Sequence, residues 1–513
     1  TDSPDHADVI LYNTCSVREH AEQKVWSRLG ELEARKRREP GLVVGVLGCL
    51  AERDGTALIR RMPVVDILCG PGELDKLPLL LANAVRTREA LLDDGCVKEQ
   101  AAATSARQVA LQGSSSRRSA TLAAAEDSLE RLDLSRSLSP VDPSRDEARA
   151  SAYVRITRGC NKFCTYCVVP FTRGAEIHRP PQHIVDECRR LADAGVIEIT
   201  LLGQTVNHYR FEHGAAVTVN GITQPQKGRS YRGGHRRDPY TGAGVTTFAD
   251  LLARIHDAVP TVRRLRFVTS YPRDFGDDVL AAMRDHPRIC RYLHAPPQSG
   301  SDRILAAMNR GYSVSEYLEF VDRARSFLDR PDQGRPLMLA GDFIVGFPGE
   351  TDEDFEATVA LAERVRFKNA FIFKYSPRPG TRAFERLPDN VPEEVKRQRN
   401  NRLLAIQARI SEQVGREQIG KTFQVLIEGL SPRERKRSSR LVPAGAVGLT
   451  VGGRSLDPAD TAEDATVQLA GRTEGDLIVF VDTSPEQARS LTGRIVPIRI
   501  ESASALALQG KLI

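Results

Sequence analysis

The sequence is short of several features, and each absence excludes something. No apolar run in its 513 residues reaches the roughly 18 that a helical membrane span needs, so no membrane partner is expected. The opening "TDSPDHADVI" does not have the pattern of a secretory signal peptide. Cysteine is scarce: nine residues, an odd number that does not form a secreted disulfide framework. A reducing, cytoplasmic setting with metal-bound thiolates fits better. Neither sign of charge dominates. Lys and Arg number 73 against 67 Asp and Glu, a formal net charge of +6. That excess leans weakly towards a polyanionic partner such as nucleic acid.

What is present divides into parts, because the chain is too long for one core. Residues 1–85 alternate strand and helix. "ADVILYNT", "LVVGVLGC" and "VVDILCG" are short apolar runs of the kind a buried parallel sheet uses. The helical stretch from Val17 to Glu39 puts Ala21, Val25, Leu29 and Leu32 on one face. Residues 86–150 are rich in Ala and Ser and read as a low-complexity linker or insertion.

Residues 151–415 resume the alternation. Six strand-like runs, "AYVRI", "IEITLLG", "RLRFVTS", "RYLHA", "MLAGDFIVG" and "AFIFKYS", are parted by helical patterns. Repeated β–α units of this kind make a parallel barrel or part of one. Residues 211–244 interrupt it as a Gly-rich, basic loop insertion carrying Tyr231 and Tyr240. Such a loop is either a solvated excursion or a surface for RNA backbone and bases. After a long charged helix, residues 416–513 contain "KTFQVLIEGL", "GRTEGDLIVFVD" and "GRIVPIRIES", parted by turn signals, and the basic run "SPRERKRSSR". They are expected to form a small β-barrel. The expected fold class is therefore α/β: a small N-terminal α/β domain, a central parallel (βα) partial barrel and a C-terminal small β-barrel.

Chemistry is concentrated in "RGCNKFCTYCVVP", where Cys160, Cys164 and Cys167 read C-x3-C-x2-C with no fourth cysteine. A structural zinc site and a fully protein-held iron–sulfur cubane both take four ligands. Three thiolates leave one iron open, as a catalytic metal requires. The competing reading is a zinc knuckle completed by His178, which lies beyond "VVPFTRG" and outside tight zinc spacing. Cys160 directly follows the strand "AYVRITRG", and parallel α/β enzymes bind ligands at the C-terminal ends of their strands. Other strand ends offer Gly203, Gln204 and Asn207; His294, Gln298 and Ser299; and Gly346 and Gly349. Glycines there let backbone approach a ligand, although each alone also suits an ordinary turn. A second set follows the N-terminal strands. Cys15 and Cys49 share one edge if those strands are parallel, with Cys69 a weak third. The alternative is buried cysteines acting as small hydrophobes.

The triad in a parallel β/α setting resembles the radical S-adenosylmethionine (SAM) enzymes. More closely, "ADVILYNTCSVREHAEQKVWSRLG", "GCNKFCTYCVVPFTRGAE", "LLGQTVN", "QSGSDRILAAMNRGY" and "DFIVGFPGETDEDF" resemble the methylthiotransferases, over most of the chain and in one order. "GKTFQVLIEG" with "GRTEGDLIVF" resembles that family's C-terminal TRAM domain, an RNA-binding barrel. The branch most similar acts on isopentenylated adenosine beside the tRNA anticodon. The resemblance implies two 4Fe-4S clusters. Cys160, Cys164 and Cys167 would hold the one that binds SAM, and Cys15 and Cys49 would share in the one that carries sulfur. It implies SAM, the tRNA anticodon stem-loop, an electron donor and a sulfide source as partners, and C2 of the adenine as the atom modified.

The resemblance also exposes departures. The family's first cysteine lies upstream of the position of Cys15, and Thr1 is not a start methionine. The expectation is a missing N-terminus; without that cysteine the second cluster lacks a ligand. "HAPPQSGS" and "FTRGAEIHRP" each differ in a residue or two from the usual pattern. The rival expectations are a methylthiotransferase for threonylcarbamoyladenosine tRNA or a ribosomal protein, and an RNA-binding iron–sulfur protein unable to insert sulfur.

Overall fold

The computed structural model describes residues 4–16, 19–93, 107–111, 126–138, 150–228, 244–440, 450–451, 454–455 and 466–513. Tyr231 and Tyr240 lie outside the described residues. No helix among them is long and apolar enough to cross a membrane.

The apolar runs near the N-terminus form a parallel sheet. β1 (Val9–Thr14) pairs with β2 (Val43–Gly48) from Val9↔Val43 to Thr14↔Gly48. β3 (Ile67–Cys69) follows on the other side of β2. β2 is buried at all six positions, as expected of a strand covered on both faces. Val44, Val46 and Leu50 pack with Leu29 and Leu32 of helix α1 (Glu19–Arg38) on one face. Val43, Leu47 and Ile67 pack with Leu80 and Ala84 on the other.

The stretch 86–150 is not a plain linker over its described residues. The helix Leu77–Asp93 runs through its start. β4 (Gln108–Ala110) joins β3 as a fourth parallel strand. A helix, Ser128–Leu138, buries Glu130 against Arg179 of the central domain. Composition hides these elements because their leucines are dispersed among Ala, Ser and charged residues. Strand pairing, packing of Leu80, Ala84 and Ala110, and ion pairs hold them.

Six parallel strands make the central partial barrel, in chain order. β5 (Ser151–Arg155), β6 (Glu198–Leu202) and β7 (Arg264–Phe267) form one sheet. β8 (Tyr292–His294), β9 (Met338–Val345) and β10 (Asn369–Lys374) form the other. A single bridge, Leu265↔Ile289, joins them. The amphipathic helices between strands cover the outer face, and Leu201, Phe267, Leu293 and Phe343 lie in the shared core.

The C-terminal strands close into a five-stranded barrel: Thr422–Leu430, Val467–Arg472, Ile478–Thr483, Leu508–Leu512 and Ile495–Ala503 in spatial order. Two details differ from expectation. "GRTEGDLIVFVD" is not one run but a turn with the ends of two strands, and the basic run forms the helix Pro432–Arg440. That turn caps the N-terminal end of the central barrel. Buried Glu198 of β6 meets Arg266 at 3.2 Å and Arg472 at 3.1 Å, and Lys368 meets Asp476 at 2.6 Å. The opposite, C-terminal face of the central barrel carries the cysteine loop.

Candidate active site

The triad sits on a loop that its neighbours pin at several points. Gly159 has φ +69°, and a Cβ there would run into the Ala175 carbonyl. Only glycine lets the chain turn so tightly before Cys160. The Cys160 N–H donates to Gly174 O at 3.2 Å and the Cys167 N–H to Cys164 O at 3.0 Å. The Asn309 amide donates to Phe163 O at 3.0 Å, supporting that residue at φ +52°. Beneath the loop, Lys162 and Asp274 form an ion pair with both side chains almost fully buried.

Three thiols so close need a cation to ionise together. Burial, Glu176 and Cys167 raise the Cys160 thiol far above its ordinary value. Burial and Cys164 push Cys167 up to about 12. One cation is built in: the Arg310 guanidinium donates to Cys164 Sγ at 3.5 Å, to Tyr312 Oη at 3.0 Å and to Pro296 O at 3.0 Å. It lies 4.6 Å from the Tyr271 ring centroid. The cysteines are free thiols among the described residues. Three thiols on one loop beside a fixed guanidinium fit a cubane held by three protein ligands, and metal binding would displace the protons that burial retains.

The register of β1 and β2 brings Cys15 and Cys49 to one sheet edge, since Thr14 pairs with Gly48. Gly48 has φ +90°, and a Cβ would stand 2.5 Å from Thr14 O. Cys49 is buried and Cys15 exposed. Cys69 does not join them. Its thiol donates to Glu73 O at 3.2 Å, and burial pushes it up to about 11. It packs as a core residue.

The two cysteine sets meet. The short helix from Cys49 packs on the helix Val169–Thr172, and the Arg173 guanidinium donates to Cys49 Sγ at 3.4 Å. Glu22 locks this arrangement from inside the interface, pairing with Arg53 at 2.7 Å and Arg378 at 2.9 Å. A cavity of about 490 Å3 opens between the domains, walled by Thr14, Gly48, Tyr153, Arg158 and Arg173. Arg310, Arg173 and Glu22 escaped sequence reasoning, since nothing local separates them from the other basic and acidic residues.

The strand-end residues divide. Asn207 is buried; its amide donates to Tyr271 O at 2.8 Å and accepts from Tyr271 N at 2.9 Å. Ser299 is fully buried, its hydroxyl 3.3 Å from Thr358 Oγ1. The N–H groups of Gly346 and Gly349 donate to Glu350 at 2.8 Å and Asn390 at 2.7 Å. These four tie the rim together, and these polar groups are already occupied. Gly203 lies against Thr157. Gln204 is partly exposed. Gln298 has φ +72° and is tied to β9 through Asp342 O at 2.9 Å. His294, inside the barrel, lies 3.3 Å from Asp342. His178 does not complete a knuckle with the triad. It pairs in a small ribbon beside Glu176, burial drawing it down to about 4. Burial would raise Glu176, but neighbouring His208 holds it down to about 2.

These features define a radical SAM enzyme. The Radical SAM superfamily model matches residues 154–362, and the model described as Uncharacterized protein family UPF0004 matches residues 1–70. Whole-chain relatives narrow this further. The tRNA-2-methylthio-N(6)-dimethylallyladenosine synthase of Rhodopirellula baltica is 40% identical over 512 residues, covering 100% of this chain and 89% of its own. The protein of the same name from Porphyromonas gingivalis is 36% identical, covering 100% and 88%. The chain belongs to the tRNA-2-methylthio-N(6)-dimethylallyladenosine synthase family. Among solved structures, the radical SAM methyltransferase TsrM from Kitasatospora setae, with cobalamin and a 4Fe-4S cluster bound, is similar at 16% identity. Its TM-score is 0.42, with 69% of this chain and 62% of that one covered.

Proposed function

We propose that this chain adds a methylthio group to C2 of N6-isopentenyladenosine next to the anticodon of tRNA. The observation that carries the reading is the packing of the helix that begins at Cys49 on the helix that follows Cys167, with Arg173 reaching the Cys49 sulfur, beside a cavity walled by Gly48 and Arg173. Two thiol sets that close can serve one bound base, and holding reactants in place supplies much of the catalysis such a step needs. Clusters bound at these thiols would supply the electron that cleaves SAM and the sulfur that is transferred.

The chain's own residues hold and shield. Cys160, Cys164 and Cys167 would hold the SAM-binding cluster, and Arg310 would offset thiolate charge at Cys164. Cys15 and Cys49 would supply two of the ligands of the sulfur-carrying cluster, and Arg173 meets Cys49 as Arg310 meets Cys164. Gly203, Gln204 and Gln298 line the SAM side. Tyr153, whose side of the cavity is open to solvent, offers a ring for a base to stack on. The basic helix Pro432–Arg440 contacts phosphates. The electron donor and sulfide source come from outside the chain, and a reducing cytoplasm suits its free thiols.

The test is anaerobic reconstitution with iron and sulfide, then SAM, a reductant and isopentenylated tRNA. Digested tRNA is analysed by nucleoside mass spectrometry. Methylthio-isopentenyladenosine and 5′-deoxyadenosine are expected in the same sample. 5′-Deoxyadenosine without methylthio product, or product only on threonylcarbamoylated tRNA, overturns the reading.

A further inference from the structure

Behind the cysteine loop lies a second group of metal-ligating side chains that the reaction does not use. Glu176 and His178 come from a two-residue strand and its approach, and His208 from the turn Val206–His208. Their donor atoms all lie within 4.8 Å of one another. Glu176 is fully buried, accepting from Thr205 Oγ1 at 2.8 Å and meeting His208 Nδ1 at 2.6 Å.

His178 is the unexplained member. It is 2% exposed, and its Nδ1 has no hydrogen-bond partner. Buried imidazole nitrogens are ordinarily satisfied. The ring is held edge-on by Tyr209 and His208, with Nε2 on the Glu176 side and no hydrogen bond to it among the described residues. The space it faces is also unusual. At Gly228 the position of an absent Cβ is 2.8 Å from His178 Nε2 and 3.1 Å from Glu176 Oε2. A side chain at Gly228 would collide with both donors, so the glycine lets His178 Nε2 and Glu176 Oε2 lie close together against the backbone. His178 also lies in "FTRGAEIHRP", one of the stretches that departs from the family pattern.

We propose that Glu176, His178 and His208 bind a first-row divalent transition ion such as Zn2+, separate from either iron–sulfur cluster. Two imidazoles and a carboxylate are the ligand set such ions favour, and thiolate-preferring ions are disfavoured there. The ion positions the cluster loop. Asn161, next to Cys160, accepts from Glu176 N at 3.1 Å and donates to Gly228 O at 3.4 Å, and Gly228 N donates to Glu176 O at 2.7 Å. A metal at this point ties residues 176–178 to the turn at His208, and Asn161 carries that constraint to the backbone that presents the first cysteine. The proposal is independent of the substrate, so its failure leaves the methylthiotransferase reading untouched.

The experiment uses the full chain with its clusters reconstituted. Zinc is added, loosely bound metal is removed with a chelator, and zinc and iron per chain are measured together. One zinc per chain is expected in the wild type. In the H178S/H208S double variant and in E176Q, zinc affinity should fall at least about tenfold with iron content unchanged. Cobalt substitution of the wild type reads the ligand set directly. Visible d–d bands without intense thiolate-to-cobalt charge transfer are expected from nitrogen and oxygen ligands. No retained zinc, equal retention in the variants, or a thiolate spectrum overturns the proposal. If the variants fail to fold, the wild-type cobalt spectrum decides.

Discussion

Cys160, Cys164 and Cys167 are presented by one loop whose turns are set by Gly159 and by backbone hydrogen bonds to Gly174 and Asn309. Cys15 and Cys49 are presented by the ends of two parallel strands, brought level only because Thr14 pairs with Gly48. The first site is local, and a short peptide already contains its spacing. The second is a product of sheet register. Each site nevertheless has one guanidinium on one sulfur: Arg310 on Cys164 and Arg173 on Cys49. The comparison teaches that a spacing motif and a tertiary edge converge on the same electrostatic solution, a fixed cation beside a group of like charges.

The strongest way to break this comparison is to remove a ligand from each side. Cys160→Ala should abolish both 5′-deoxyadenosine and methylthio product. Cys49→Ala should abolish the methylthio product while 5′-deoxyadenosine formation continues. Chromatography of both products separates the outcomes, and a Cys49→Ala protein that loses both would show that the two sites do not divide the chemistry.

Next in size is the hinge between them. Glu22→Gln leaves Arg53 and Arg378 without their shared buried carboxylate. Breaking a buried pair costs about 3–5 kcal/mol. Chemical denaturation should show the loss, and product yield should fall further than SAM cleavage, because the interface carries the alignment of the two sites.

Glu130 tests the wall the linker helix builds. Arg179 and His183 beside it outweigh the burial that would raise it and hold its carboxyl down to about 2. The folded value lies below the unfolded one. The stabilisation is therefore complete above about pH 4.5 and disappears as pH falls towards 2, a span worth about 3 kcal/mol. Urea unfolding of cluster-free protein should show this acid loss in the wild type. Glu130→Gln should be less stable at pH 5, with the difference shrinking as pH falls. A constant difference across that range would assign the helix no such role.

The smallest effect sharpens the parallel between the guanidiniums. Arg173→Met should reduce methylthio yield about tenfold, near 1.4 kcal/mol, with SAM cleavage retained. Arg310→Met should lower both products and the iron retained at the triad. Equal behaviour of the two variants would mean that the cations do not serve separate sites.

Some of the site was legible in residues and some was not. β1, β2 and the barrel strands announce themselves by apolar runs, and the triad by its spacing. Asn207, Ser299, Gly346 and Gly349 end strands, which places them on the rim. Their polar groups hydrogen-bond to Tyr271, Thr358, Glu350 and Asn390. Sequence position locates a residue on the rim, whereas the direction its polar group takes depends on neighbours far along the chain. β4 carries little local signal, being three residues with one buried side chain, Ala110, which strand pairing and packing on Leu80 and Ala84 hold.

By itself the sequence determined the alternation of strands and helices, the three-thiol loop with its open fourth position, and the family. Periodicity and spacing are local properties, and local sterics act on them directly. Only the tertiary structure decided that the helix from Cys49 packs on the helix after Cys167, that Arg310 and Arg173 each meet one thiol, and that Glu22 spans the interface. Those contacts join residues over a hundred positions apart, and they exist because burying two sheets and their helices leaves few ways to pair the charges at the seam.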